Sequence, residues 1–283
     1  MALTFSLFVL AVLAVWVPAI PFGRYRVAPW PLLLAAALAA GSLNSLITPA
    51  GLLAIAALAV SCLLSREGNA ISRPVFTTGA ALLALALALH LVPGFNNPIV
   101  IDAVRISSNA PPFTQYASFD KASAGLLVLA FFCVRSSSSA EWRKILAPTL
   151  AAVLATSFVV MTLAVVNGYV AFDPKVPSVT PIFLLVNLLF TCVAEEAFFR
   201  GLIQEGVLRA QPRAPWIAVM ISAVLFGVAH SGGGMLNVAL ATVAGFGYAV
   251  VYDRTRRIEA AVLTHFAVNV VHFLGFTYPR LLT

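Results

Sequence analysis

Charged residues are scarce in this chain. Asp and Glu together number ten in 283 residues, and all four charged types make up 10%. A soluble domain carries about 25%, so a globular fold with a charged, solvated surface is excluded. Cysteine is sparse too. Cys62, Cys133 and Cys192 each stand alone in an apolar run, which excludes a disulfide framework and a zinc knuckle. There is no internal repeat and no low-complexity segment. The first 20 residues are apolar but lack a positive start and an Ala-x-Ala cleavage site, so they read as a retained helix, not a signal peptide. Several hydrolytic designs are missing as well. The chain has no His-Glu-x-x-His, no Gly-x-Ser-x-Gly and no Asp inside an apolar run, and Gly245-Phe-Gly247 is followed by Tyr248, not Asp.

What remains is apolar: 61% of the residues, with a mean hydropathy of +0.99. Runs of spanning length recur from end to end, at 3–20, 30–48, 50–65, 75–93, 122–135, 146–168, 179–209, 215–231, 235–252 and 257–276. They predict an all-α fold, a polytopic transmembrane helical bundle of about ten spans. Taking the connections alternately, one set carries Arg24, Arg26, Arg66, Arg73, Arg135, Arg143, Lys144, Arg209, Arg213, Arg254, Arg256 and Arg257. The other carries Arg105, Lys121, Lys175 and Arg280. Basic loops face the cytoplasm, so both termini are expected outside. The net charge of +7 is thereby assigned to loops lying against acidic lipid headgroups, not to nucleic acid.

The chain divides by chemistry. Residues 1–121 are expected to form accessory N-terminal helices and an external loop, and 122–283 a catalytic helical core. The loop 94–121 is a candidate lid or docking surface, or an ordered loop without chemistry. In the core, Glu195 and Glu196 fall inside an apolar run, where a carboxylate costs roughly 2.5–3.5 kcal/mol and marks a candidate functional site. Glu196 and Arg200 stand at i and i+4 with the acid first, the favourable order for a pair on one helix face. Glu195 is rotated about 100° away and is expected to face a cavity. His230 closes the next run, level with Glu195 in an antiparallel hairpin turned at 209–215. His265 and Asn269 share a face of the last run. His90 and His272 are expected to be structural. Gly227, Gly232–Gly234, Gly245 and Gly247 flank the histidine segments and allow close helix approach.

A carboxylate with histidines in a membrane cavity suits activation of water by general base catalysis, with amide and imidazole donors for an oxyanion. The three signatures Glu195-Glu196-x-x-x-Arg200, Phe226-x-x-x-His230 and His265-x-x-x-Asn269 resemble those of the CPBP (Abi, CAAX-protease) family over residues 140–276. The resemblance implies an intramembrane endopeptidase of the Rce1 type without a cofactor. By it, Glu195 activates water, His230 assists, His265 and Asn269 form the oxyanion site, and Glu196 and Arg200 order the surroundings. An alternative is a zinc site of Glu195, His230 and His265. The expected partners are a membrane-anchored protein or peptide substrate and the bilayer, and the expected location is a prokaryotic cytoplasmic membrane. A different class of reading is a non-enzymatic peptide-binding membrane protein of the immunity or scaffold type. Proton or ion transport is a third reading, and it lacks a second line of acids across the membrane.

Overall fold

The computed structural model describes residues 1–282. Ten helical runs succeed one another, each overlapping an expected apolar run. They are α1 (Ala2–Leu13), α2 (Pro29–Leu43), α3 (Pro49–Glu67), α4 (Ser72–Ala88), α5 (Phe119–Phe132), α6 (Ser139–Val166), α7 (Thr180–Ala210), α8 (Pro215–Ala229), α9 (Met235–Thr255) and α10 (Ile258–Gly275). Five of them, α3, α6, α7, α9 and α10, are long and apolar enough to cross a bilayer. α1, extended by a 3₁₀ turn to Trp16, α2, α4 and α8 are shorter apolar helices. The molecule is a helical, multi-pass membrane protein. Two small hairpins, β1/β2 (Ile20–Phe22, Tyr25–Val27) and β3/β4 (Ile99–Val104, Phe113–Tyr116), supplement the expected helices.

Local chemistry explains the boundaries. Proline opens α2, α3 and α8, where its missing N–H is not needed. α6 starts seven residues earlier than its apolar run, because Ser138 accepts from the Glu141 amide and Glu141 accepts from the Ser137 amide at 2.7 Å. This resembles a capping box. α7 is interrupted by two π-helical stretches, Asn187–Cys192 and Ala197–Gln204, on either side of Val193–Glu196. Such widened turns recur at functional sites. Arg200 therefore sits in a widened turn.

The chain forms two compact units. The first comprises Met1–Pro98, Ala117–Cys133 and Leu189–Phe198, and the second Ile99–Tyr116, Val134–Leu188 and Phe199–Thr283. In the first, α5 packs on α3, α4 and the Val193–Glu196 turn of α7. A Cβ on Gly125 would lie 2.4 Å from Ala194 Cα, so only glycine permits that crossing. Phe5, Phe8, Phe119 and Phe190 form its aromatic centre. In the second, α8 and α9 meet closely at Gly227, where a Cβ would reach to 1.9 Å of Thr242 Oγ1 and 2.8 Å of the Val238 carbonyl. Phe183 stacks on Phe273 at 3.8 Å. The β3/β4 hairpin adds Ile101 and Phe113 to that cluster, so this part of the 94–121 loop is packed against a core.

Candidate functional site

The motif glutamates lie in the first unit. Glu196 is fully buried. Glu195 Oε1 is 2.6 Å from Lys121 Nζ, and both side chains are largely shielded. Glu195 was expected to face a cavity while its neighbour took the arginine. Its Oε1 carries an ammonium ion from α5. The ion pair offsets much of the cost of a carboxylate at this depth. An apolar run starting at Ala122 leaves Lys121 in the preceding loop. The helix begins at Phe119, which puts Lys121 in its first turn.

A polar network adjoins this pair. Asp120, at the end of the expected loop 94–121, is buried. It accepts from the Lys121 amide at 2.8 Å and from Asn97 Nδ2 at 2.9 Å, and it pairs with His90 Nδ1 at 2.7 Å. Asn97 Oδ1 in turn accepts from the Phe119 amide. The network thus fixes the start of α5, and His90 is half-exposed at its edge.

The motif histidines lie in the second unit. His230, His265 and Asn269 line a single cavity of about 120 Å³, together with Tyr169, Asn237, Tyr248 and His272. That volume holds several waters. His230 caps the C-terminus of α8, at the expected break before the glycine run. Its Nδ1 lies 2.8 Å from the Phe226 carbonyl. A carbonyl only accepts, so Nδ1 carries the proton, and in the neutral ring Nε2 is the basic nitrogen. Asn237 Nδ2 donates to the His230 carbonyl at 2.9 Å, and the Tyr169 hydroxyl donates to Asn237 Oδ1 at 3.2 Å. Burial pushes the Tyr169 phenol above its usual pKa, against a smaller opposing effect of Arg280, and keeps it a neutral donor.

His265 is buried and stacked on Tyr248, with ring centres 4.7 Å apart and planes 14° from parallel. Asn269 Nδ2 donates to Asn187 Oδ1 at 3.2 Å. Arg200, fully buried, donates to Ser222 Oγ at 2.5 Å and lies over the Phe226 ring at 5.2 Å. It thus braces the aromatic group around both histidines. Asn187, Asn237 and Tyr169 were not anticipated. The signal for the first two was an amide inside an apolar run, the same signal that marked Asn269.

Of the zinc alternative's three donors, Glu195 lies in the first unit and His230 and His265 lie in the second. Glu195 Oε1 holds an ammonium ion, and among the described residues no three His, Cys, Asp or Glu side chains are grouped to hold a metal.

A multi-pass helical membrane protein with a histidine-lined cavity is the class these features define. Comparison with known proteins narrows it. Residues 177–271 match the family model described as Type II CAAX prenyl endopeptidase Rce1-like. The stretch contains all three motifs, so the resemblance read from them stands. A Bacillus subtilis (strain 168) protein named "Putative membrane peptidase YdiL" is 32% identical over 89 residues, which cover 31% of this chain and 35% of the relative. The match thus spans about a third of that relative's length. No solved structure matches.

Proposed function

We propose that the chain is an intramembrane endopeptidase that cleaves a membrane-anchored peptide or protein with activated water. The observation that carries this reading is the shared cavity. Its polar side chains come from the C-terminal cap of α8, from α9 and α10 and from the connection after α6, and its volume admits water. The Rce1-like match over the same residues supports a peptidase.

In the proposed reaction Glu195 takes a proton from water as general base, and His230 Nε2 assists. The resulting hydroxide adds to the scissile carbonyl. Asn269 Nδ2 and His265 donate to the oxyanion, and the proton passes to the departing amine. Glu196 and Arg200 hold the surroundings in place. Lys121 keeps Glu195 oriented and balances its charge. The proposed setting is the bilayer of a prokaryotic cytoplasmic membrane, with the external termini following from the basic loops.

The test compares membrane-protein termini in cells carrying wild type and Glu195→Gln at matched expression. New termini with wild type alone support proteolysis and identify the substrate. Identical termini, with the phenotype retained by the mutant, sink it. The Lys121–Glu195 pair favours a second reading, in which the carboxylate is structural and the chain binds a peptide without cutting it. That reading expects Glu195→Gln to weaken folding while every terminus stays unchanged.

A further inference from the structure

A second cavity of about 430 Å³ lies between α6 and α9, away from the histidines. Its α6 wall is Pro148, Ala151, Ala152, Ala155, Thr156 and Val159, and its α9 wall includes Val243 and Gly247. Small residues on both helices leave the hollow. From Pro148 to Val159 it runs eleven residues, roughly 16 Å at the helical rise. Beside it α6 presents Leu146, Leu150, Leu154 and Phe158, all 58–73% exposed. That apolar strip suits contact with hydrocarbon, so the groove opens towards lipid.

One end of the groove is basic. Arg254 lines it, is exposed, and has no ion pair among the described residues. Lys144 is exposed one turn before Pro148 and shares its face. Trp142, 37% exposed, marks the same end as an interfacial level. The neighbouring cation Arg257 is already engaged, with Glu141 at 2.7 Å. Basic pockets between membrane helices attract anionic lipid headgroups.

We propose that this groove binds one acyl chain of an anionic phospholipid, with its phosphate held by Arg254 and Lys144. The site is independent of the proposed peptidase chemistry and uses none of its residues. The apolar walls take the chain, and the two cations select the headgroup.

The test is lipid retention by the full-length protein in detergent, read by native mass spectrometry. The probes are phosphatidylglycerol and phosphatidylcholine of identical chains. Wild type is expected to hold about one phosphatidylglycerol and to discriminate against phosphatidylcholine. Arg254→Ala and Lys144→Ala should each weaken phosphatidylglycerol about fivefold, the effect of one surface cation near a headgroup. Ala152→Leu/Ala155→Leu fills the groove and should abolish retention of the specific lipid. A measurement on wild type alone avoids any folding defect: long-chain phosphatidylglycerol should bind far better than the short-chain form. Equal binding of both headgroups, unchanged affinity in the cation variants, or a dimer closing the groove without lipid would overturn the proposal. Binding of a lipidated peptide but not of phosphatidylglycerol would also overturn it.

Discussion

Lys121 changes what a substitution at Glu195 means. Removing Lys121 takes this partner from a largely shielded carboxylate, and breaking a buried pair costs up to about 3–5 kcal/mol. The pair here is partly exposed, so the expected loss for Lys121→Met is about 1–3 kcal/mol. The Lys121→Met/Glu195→Gln double variant should recover much of it, because neither charge remains. Thermal unfolding of all four proteins in one detergent gives the coupling. Additive losses would show that the pair contributes nothing. At His230 the readout is kinetic. Asn237→Ala removes the donor that fixes the His230 carbonyl, and on the peptidase reading it should lower kcat more than it raises KM. A pure KM effect would place Asn237 in substrate binding instead.

Close helix approach at glycine is the feature that matters at the scale of elements. Gly227→Ala would force a methyl group against Thr242 and the Val238 carbonyl. Backbone cannot yield as a side-chain tip can, so a loss of about 1–3 kcal/mol is expected, read as a lower unfolding temperature with unchanged insertion. Gly206, whose Cβ would meet nothing, is the control, and its Ala variant should be neutral or slightly stabilising. The loop after α6 adds a pH prediction. Asp173 lies below the usual carboxylate range because Ser107 hydrogen-bonds to it and Lys175 sits 3.1 Å away. A depressed folded pKa stabilises the protein above the unfolded value of about 3.9, and that contribution fades as pH falls through the folded value. Asp173→Asn should therefore flatten the acid limb of the stability–pH curve, while stability relative to wild type converges at the lowest pH. An unchanged limb would rule out a contribution from Asp173.

For the molecule in its membrane, the alternation of basic loops expects both termini on one face, with 209–215 on the other. Single cysteines introduced at Gly23 and Arg213, labelled from outside intact cells, should react differently from one at Asn109. The opposite pattern would invert the topology.

The sequence determined the helical character, the ten runs and the identity of the motif residues, because burial in lipid requires long apolar stretches and makes each polar residue inside one conspicuous. It also located the turn at 209–215 and the break at His230, since Pro215 and the glycine run are local signals. Tertiary structure alone decided the company each residue keeps. Lys121 and Glu195 are 74 positions apart, and nothing local couples them. Asn187 and Asn269 are 82 apart. The π-helical turns around Val193–Glu196 are equally silent in the sequence, because a widened turn depends on how neighbouring side chains pack rather than on the propensity of its own residues.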